Sequence, residues 1–523
     1  MKRSLLLCLM TLLLACAQAT SVAAQGPPPG ARPQAEGARG AGEPQAPPPK
    51  EESSVSEGTV RIAGQVIPYK ATAATILLKN AEGDPIGLMY SVAYTRSDVK
   101  DLSTRPVSFL YNGGPGSSTM WLHMGSFGPR RAWTVNGEFT PPAPYKLVEN
   151  GESLLDKTDL VFVDAMGTGY SRVAGKGKDA DFYGVDEDAN AFAQFIIAYI
   201  TRNDRWNSPK FLMGESYGTF RSAVVGNILQ SRFSVHLNGI VLISSVLDLS
   251  SLTFSPGDDR PYIYYLPSYA AVAWYHKALK NRPANLNAFI EEARQYATGE
   301  YATALFKGAA LPASEKAAAA KRLSYFTGLS EEYLLKANLR VNLSQFNVEL
   351  QRDRGITSGR IDARFTAQTF NLLTEGSEGD PFFAAVSGAY TALVNDYTNN
   401  VLKFGKDREY YGSRRGGGWN WTRSPAGGRG GFFPGAPNVM RDLAQAMLDN
   451  PKLLVLVENG IYDMATPFFP TEFTMTHLGL PADLQKNITL TYYESGHMMY
   501  LRDEDRVQQR KNIVEFIDKV MKQ

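Results

Sequence analysis

Hydrophobic and polar positions follow two different patterns along this chain. Near its beginning, short segments such as "TVRIAGQVIPYK", "ATILLKN" and "IGLMYSVAYT" have the composition of β-strands and are separated by glycine-containing turns. Further along, apolar runs without alternation each end in Gly, Asn or Asp: "PVSFLYNGGPG", "TDLVFVDAMGTG", "KFLMGESYG", "GIVLISSVLD", "KLLVLVENG" and "ITLTYYESGH". Runs of this kind are typical of strands in a parallel sheet that is covered on both faces.

Helical patterns separate these buried strands. In "DEDANAFAQFIIAYITRN", Ala189, Phe192, Ile196 and Tyr199 share one face, and acidic residues fill the first turn. The alternation of strands and helices predicts an α/β fold with a mostly parallel central sheet and helices on both faces.

The alternation stops between about residues 252 and 437. This stretch is rich in Ala, Leu and charged residues and ends in the loop-like "GSRRGGGWNWTRSPAGGRGG". We interpret it as a large, mainly helical cap insertion. Because ligands of open α/β sheets bind beyond the carboxyl ends of the strands, such a cap would cover the site.

The first 57 residues have a different composition from the rest. Lys2 and Arg3 precede the apolar run "LLLCLMTLLLA" and small residues, which predicts a signal peptide over residues 1–24. Cleavage after Ala24 fits this pattern, and so does a lipoprotein box, "LLAC", that would leave a lipid on Cys16. Residues 25–57 are rich in Pro, Gly and Ala and predict a disordered linker, with the folded domain over 58–523. We therefore expect an exported protein, periplasmic or extracellular, with membrane contact only through a lipid on Cys16.

Charge and cysteine content narrow the possible partners. Both cysteines, Cys8 and Cys16, lie in the signal segment, so the domain has no internal disulfide. Loss of Lys2 and Arg3 takes the formal charge from +2 to 0 (+2 − 2 = 0), which gives no field favouring nucleic acid or anionic membrane. The Arg- and Trp-containing loop superficially resembles an RNA-binding segment, but a cap loop near the site is the favoured interpretation. No dinucleotide or metal motif is present, so we expect neither cofactor nor metal.

The stretch "FLMGESYGTF" carries the first chemical signal. Gly-x-Ser-x-Gly between a strand and a helix is the pattern of a nucleophile elbow. Gly214 and Gly218 would avoid clashes in the tight turn, and Ser216 would point outward as a nucleophile. The amide of Tyr217 would then lie at a helix N-terminus and could donate to an oxyanion.

A nucleophilic serine needs a base and an acid that orients it. In α/β-hydrolases the order along the chain is Ser, acid, His, with the acid and the base on loops after the last strands. Asp463 in "LLVLVENGIYDMATPF" and His497 in "ITLTYYESGHMMYL" occupy such positions. The turn in "LYNGGPGSS" lets the backbone approach a carbonyl closely, so the amide of Gly114 is predicted to complete an oxyanion hole with that of Tyr217.

Several motifs in the same order resemble the serine carboxypeptidase family of the α/β-hydrolase superfamily. They are "NGGPGSS", "FVDAMGTGYS", "GESYG", "GIYDMATP" and "GHM". The resemblance extends from about residue 58 to the C-terminus, and the sequence is most similar to the bacterial branch of the family. It implies that Ser216 is the nucleophile, His497 the general acid and base, and Asp463 the residue that fixes the imidazole tautomer. It also implies that Asn112 and Glu215 hydrogen-bond the terminal carboxylate of a peptide substrate.

The chain departs from the family pattern at two places. Ser117 replaces a cysteine that many relatives have, and Ser126 stands where a second glutamate is usual. We hypothesise that Arg130 or Arg131 receives the anionic chain end instead, since a guanidinium binds a carboxylate bidentately.

The expected function is that of an exported serine-type carboxypeptidase, which releases C-terminal residues from peptides through an acyl-enzyme. Three alternatives remain open: an esterase or acyltransferase on the same fold, an endopeptidase or dipeptidase, and a tethered binding protein with an inactive triad. The preferred C-terminal residue and the oligomeric state do not follow from the sequence.

Overall fold

The fold is described from a computed structural model, which covers residues 48–423 and 436–523. The predicted signal peptide with Cys16, the linker as far as residue 47, and residues 424–435 of the Gly-rich loop lie outside the described residues. Within the described ranges, no helix has the combination of length and apolar character that crossing a membrane requires.

The first strands along the chain pair antiparallel, and most of the later strands of the central sheet pair in parallel. In chain order they are β1 (Ser53–Ile62), β2 (Gln65–Lys79), β3 (Pro85–Arg96), β4 (Val107–Tyr111), β5 (Arg130–Ala132), β6 (Leu147–Glu149), β7 (Asp159–Val163), β8 (Arg172–Val173), β9 (Lys210–Glu215), β10 (Gly239–Ile243), β11 (Ile356–Ser358), β12 (Thr366–Gln368), β13 (Leu454–Gly460) and β14 (Ile488–Tyr493).

Ten of these strands form the central sheet of the described part of the chain, in the order β1-β2-β3-β7-β4-β9-β10-β13-β14, with β8 paired to β3. The pairs from β7 to β14 are parallel, and the pairs from β1 to β7 are antiparallel. The sheet is therefore mostly parallel in the half that carries the predicted site residues, as the uninterrupted apolar runs indicate.

The predicted linker boundary at residue 57 is wrong, because β1 already begins at Ser53. Its residues pair antiparallel with β2, from Ser53 opposite Ala74 to Ile62 opposite Gln65. The burial of the first seven residues alternates only between exposed and half-buried. Such an edge strand is held by backbone hydrogen bonds, so its polar composition gave no apolar pattern to detect.

Helices cover both faces of the sheet. They are α1 (Met120–Leu122), α2 (Val185–Arg202), α3 (Tyr217–Phe233), α4 (Arg260–Tyr275), α5 (Leu286–Tyr296), α6 (Ala302–Lys307), α7 (Ala313–Thr327), α8 (Glu331–Lys336), α9 (Leu343–Glu349), α10 (Pro381–Asp396), α11 (Met440–Asp449), α12 (Phe468–Thr476), α13 (Ala482–Gln485) and α14 (Asp503–Val520).

The buried strands send successive side chains to opposite layers. In β4, Phe109 packs in a cluster with side chains of α2, α3 and α11, whereas Leu110 packs in a cluster with side chains of α10 and α14. A third cluster joins α4, α5, α7 and α9, which lie in the stretch interpreted as a cap. This stretch also contains the short antiparallel hairpin of β11 and β12.

A buried ion cluster fixes the opposite, amino-terminal ends of the parallel strands. Asp159, the first residue of β7, accepts hydrogen bonds from Arg105 Nε at 3.1 Å and from Arg205 Nη1 at 2.5 Å. All three side chains are almost fully buried. The two arginines precede β4 and β9, so one carboxylate ties together the starts of three adjacent strands.

We predict that Asp159→Asn lowers the free energy of unfolding by about 3–5 kcal/mol, because it leaves two buried guanidinium groups without a counter-charge. The matched control is Asp98→Asn, because Asp98 is exposed to solvent and its partner Arg96 is partly exposed, so its loss should cost less than about 1 kcal/mol. Urea unfolding midpoints of the two variants check this, and equal shifts would contradict it.

Candidate active site

Ser216 lies in the sharp turn between β9 and α3. Its backbone angles are φ 61° and ψ −129°, a region that residues with a side chain rarely adopt and that costs about 1–3 kcal/mol. A Cβ atom on Gly214 would lie 2.2 Å from the carbonyl oxygen of Gly218, so no larger residue fits there. The turn thus has the strained geometry of a nucleophile elbow.

The loop of Gly113 and Gly114 packs directly on this elbow. A Cβ atom on Gly113 would lie 2.3 Å from the Tyr217 nitrogen, and Gly114 has a φ of 106°, which favours glycine. Gly114 is exposed to solvent and Ser216 is partly exposed, whereas Tyr217 is buried. Within the described residues, the amides of Gly114 and Tyr217 donate no hydrogen bond, so both are available to an oxyanion.

Asp463 and His497 meet at the ends of β13 and β14. Asp463 Oδ2 and His497 Nδ1 are 2.8 Å apart, and both side chains are buried. Asp463 Oδ1 accepts hydrogen bonds from the amides of Ala465 and Thr466 at 2.8 and 3.0 Å. The carboxylate is therefore held by its own turn while its other oxygen faces the imidazole.

Burial and charge act in opposite directions on His497. Burial alone would lower its pKa, but the charge and hydrogen bond of Asp463, with a smaller contribution from Glu215, raise the pKa above its ordinary value. The imidazolium form is thus stabilised by a fixed carboxylate, as a general base needs when it takes up a proton.

Ser216 and His497 adjoin the same strand end, although no hydrogen bond joins the Ser216 hydroxyl to the imidazole in the described structure. The Ser216 amide donates to the carbonyl of Ile243 at 2.9 Å, and the hydroxyl of Ser244 donates to the carbonyl of His497 at 2.7 Å. Since Ile243 and Ser244 are consecutive, the predicted nucleophile and base flank the end of β10. Nucleophile–base contacts are often looser without substrate.

Glu215 and Asn112 form a buried pair beside the elbow. Asn112 Nδ2 donates to Glu215 Oε1 at 2.7 Å, and the Tyr500 hydroxyl donates to Oε2 at 2.9 Å. Burial raises the pKa of Glu215 to about 7, although the charge of His497 opposes the shift. Glu215 therefore changes its charge close to neutral pH.

Sequence reasoning missed two residues of this site. Tyr500 follows His497 by three positions in "GHMMYL", and the Thr466 hydroxyl lies 2.8 Å from Asp463 Oδ2 and 3.1 Å from His497 Nδ1. Their only signal was proximity along the chain to the acid and the base, which says nothing about the direction of a side chain.

Within the described residues, no hydrogen bond joins Arg130 or Arg131 to Glu215, although Arg131 and Glu215 both act on the pKa of Tyr390. Arg130 lies near Tyr69. Burial raises the pKa of Tyr69, and the charge of Arg130 opposes this rise. Burial lowers the pKa of Arg131, and the adjacent Arg506 lowers it further. Consecutive residues of β5 point in opposite directions, and His497 and Asp463 are the charges that act most strongly on Glu215.

Ser126, at the position of the expected second glutamate, is buried in the π-helical turn His123–Phe127. Its hydroxyl has no hydrogen-bond partner within the described residues. It therefore supplies neither a charge nor a hydrogen bond to Glu215.

A loop from the cap contacts both the acid and the base. This loop, residues 359–365 between β11 and β12, is called the tip loop below. The Arg360 carbonyl accepts from the Met464 amide at 3.1 Å, and the Ile361 carbonyl accepts from the His497 amide at 2.8 Å. Asp362 Oδ2 accepts from the Gly496 amide at 3.1 Å. The tip loop thus holds together the loops that carry Asp463 and His497.

The Arg- and Trp-containing segment packs against the loop of Gly113 and Gly114. The Ser118 amide donates to Gly412 at 3.0 Å, and the Arg414 amide donates to Gly116 at 2.8 Å. The ring of Trp419 lies 5.6 Å from that of Tyr217. Its described part therefore lies beside the site, as expected of a cap loop. Among the residues of 48–423 and 436–523, no group of three His, Cys, Asp or Glu side chains could hold a metal ion.

Part of the chain is similar to known serine carboxypeptidases. The serine carboxypeptidase family profile matches residues 88–300, which include the elbow and the Gly113 loop but not Asp463 or His497. No curated protein matches the sequence.

Among solved structures, the chain is similar to Kex1(delta)p, a prohormone-processing carboxypeptidase from Saccharomyces cerevisiae. The TM-score is 0.51 at 15% identity, over 86% of this chain and 91% of that one. A proline iminopeptidase from Mycobacterium smegmatis matches with a TM-score of 0.37 at 12% identity, over 86% and 98% of the two chains. A carboxyl esterase from Bacillus coagulans matches at 0.33 and 11%, over 86% and 98%. The predicted α/β-hydrolase fold is confirmed.

We predict that Gly113→Ala lowers the rate of covalent labelling of Ser216 by a fluorophosphonate by at least about 100-fold, since the added Cβ would displace the loop carrying the Gly114 amide. Gly299→Ala is the matched control, because a Cβ there meets no atom within 4 Å. Mass spectrometry of the labelled protein measures both rates, and equal labelling would contradict the assigned role of this loop.

Proposed function

We propose that this protein is an exported enzyme that releases C-terminal residues from peptides through an acyl-enzyme, because residues 88–300 match the serine carboxypeptidase family and the fold is similar to that of a carboxypeptidase. The observation that carries this proposal is the buried hydrogen bond between Asp463 and His497, which lies beside the strained turn of Ser216. A buried acid–imidazole pair next to such a turn is the arrangement that activates a serine hydroxyl.

In the first half of the reaction, the Ser216 hydroxyl oxygen attacks the scissile carbonyl carbon and its proton passes to His497 Nε2. Nδ1 is already engaged by Asp463, so Nε2 is the nitrogen free to accept. The oxyanion receives hydrogen bonds from the amides of Gly114 and Tyr217, each contributing about 3 kcal/mol to the transition state.

Collapse of this intermediate breaks the carbon–nitrogen bond and leaves the acyl group on Ser216. His497 returns its proton to the leaving amine, and the C-terminal amino acid departs. A water molecule then attacks the ester, again giving its proton to His497. The final transfer of that proton to Ser216 Oγ releases the shortened peptide and restores the enzyme.

Asn112 and Glu215 are proposed to contact the terminal carboxylate of the substrate, as the family resemblance implies. Burial raises the pKa of Glu215 to about 7, so below that pH its carboxyl group is neutral and does not repel a substrate carboxylate. Above it, the ionised group would weaken binding.

Export is proposed from the sequence of the first 24 residues, with cleavage after Ala24 or lipidation of Cys16. N-terminal sequencing of the mature protein from its native host separates these routes.

The direct test is mass spectrometry of a peptide mixture incubated with the enzyme. We expect single residues to be lost from free C-termini, peptides with an amidated C-terminus to be cleaved poorly, and Ser216→Ala to be inactive.

Hydrolysis of esters without any loss of C-terminal residues would favour an esterase, and ester turnover only with an amine or alcohol acceptor would favour an acyltransferase. Internal cleavage would indicate an endopeptidase, removal of residue pairs a dipeptidase, and failure of a fluorophosphonate to label Ser216 an inactive binding protein.

We also predict that Glu215→Gln shifts the rise of kcat/KM with pH toward lower pH for a substrate whose leaving group carries no carboxylate. His497 must lose its proton to act as a base, and ionised Glu215 contributes to raising its pKa. Removing that charge should lower the midpoint by up to about one pH unit.

The control for this pH profile is Glu458→Gln. Glu458 is equally buried, and burial raises its pKa to about 7, but it hydrogen-bonds Tyr493 and Gln509 rather than groups of the site. An unchanged midpoint in Glu215→Gln, or the same shift in both variants, would contradict the coupling.

A further inference from the structure

The buried pair of Asn112 and Glu215 has little capacity left for a substrate carboxylate. Both carboxyl oxygens of Glu215 already accept hydrogen bonds, from Asn112 and Tyr500. The Asn112 side-chain oxygen accepts from the Leu122 amide at 3.0 Å. Asn112 and Glu215 are only 3% and 1% exposed, and neither carries a positive charge. A peptide whose chain end is anionic therefore needs a further donor.

Arg360 is an exposed cation at the junction of the two loops that carry the acid and the base. Its carbonyl accepts from the Met464 amide, next to Asp463, and the carbonyl of the following residue accepts from the His497 amide. The backbone of Arg360 is thus fixed by hydrogen bonds on both sides of the Asp463–His497 pair. Its side chain is exposed to solvent.

The guanidinium of Arg360 is in no ion pair within the described residues, although its charge also acts on Asp380, where it opposes the rise in pKa caused by burial. Within residues 48–423 and 436–523 it forms no ion pair or hydrogen bond, whereas Arg364 on the same tip loop is paired with Asp362 in a buried contact. Its positive charge nevertheless acts on the imidazole of His497, where it opposes the rise in pKa caused by Asp463. The backbone hydrogen bonds thus place Arg360 beside the loops of Asp463 and His497, and its side chain is open to solvent.

We propose that Arg360 binds the terminal carboxylate of the peptide substrate. The inference rests on the proposed carboxypeptidase function, because His497 must return its proton to the leaving nitrogen. The leaving residue then lies against the imidazole, and its carboxylate carbon is two bonds, about 2.5 Å, from that nitrogen. An arginine that precedes the residue bonded to the His497 amide is within side-chain reach of this carboxylate and can bind it with two hydrogen bonds at any working pH.

This assignment gives the anionic chain end to the cap rather than to the loop that contains Ser126. The tip loop also accepts hydrogen bonds from the amides of Gly496 and His497, so the loop of the cation and the loop of the general acid are directly connected. Recognition of a free C-terminus would then be coupled to the correct placement of the imidazole.

The experiment compares Arg360→Gln with the wild type on two substrates that share one acyl group. One is a blocked dipeptide with a free C-terminal carboxylate, and the other is the methyl ester of the same blocked acyl residue, whose leaving group has no carboxylate. We expect KM for the dipeptide to rise at least about tenfold, kcat/KM for the ester to stay within about twofold, and Arg360→Lys to be intermediate.

Arg354→Gln is the matched control, since Arg354 is an exposed arginine just before β11 whose side chain donates to Gln351 at 2.7 Å. It should change neither substrate's kinetics. An unchanged KM in Arg360→Gln, an equal loss on both substrates, or the same effect in Arg354→Gln would overturn the assignment. If instead the wild type hydrolyses the ester but never releases a C-terminal residue, the proposed function itself fails, and this inference fails with it.

Discussion

The buried hydrogen bond between Asp463 and His497 is the contact on which the rest of this site depends. Two titratable groups that are almost fully excluded from water are tolerated only when they are paired and their remaining hydrogen-bonding atoms are satisfied. The second oxygen of Asp463 is satisfied by the amides of Ala465 and Thr466, and the His497 backbone by Ile361 and Ser244. The pair is thus held from the sheet and from the cap at once, so its geometry is set before any substrate arrives.

The stretch that we interpret as a cap also supports the loops of the acid and the base. Its tip loop donates and accepts backbone hydrogen bonds with the loops after β13 and β14, and its own shape is fixed by the buried ion pair of Asp362 and Arg364. A Cβ atom on Gly496 would lie 2.4 Å from the Asp362 side chain, so the two loops are in close contact. The tip loop consequently supports the placement of the predicted general base.

Local features could be predicted from the sequence, whereas contacts between distant residues could be predicted only where the order of motifs identified both partners, as for Asp463 and His497. Apolar runs ending in Gly or Asp located the parallel strands, and the spacing of Gly214, Ser216 and Gly218 located the elbow, because both patterns are local. The start of β1 at Ser53 was missed because its pairing uses the backbone. Tyr500 and the tip loop were missed because their contacts with Glu215 and His497 span 285 and more than 130 residues respectively. The hypothesis that Arg130 or Arg131 receives the chain end stays a prediction, because the sequence does not reveal which way a residue of a three-residue strand points.

The partner of Glu215 decides how this site can treat an anionic substrate. Two neighbouring carboxyl groups would have to share a proton, which keeps one of them neutral. Tyr500 instead donates a hydrogen bond to Glu215. Because burial raises the pKa of Tyr500 well above its ordinary value, its hydroxyl keeps its proton and remains a donor throughout the neutral range. Glu215 is then free to ionise near pH 7, where it would repel a carboxylate placed beside it. A serine at position 126 adds nothing to offset that charge. The proposed function at neutral pH would therefore need a cation elsewhere, and we propose Arg360 for it because the tip loop hydrogen-bonds the His497 amide.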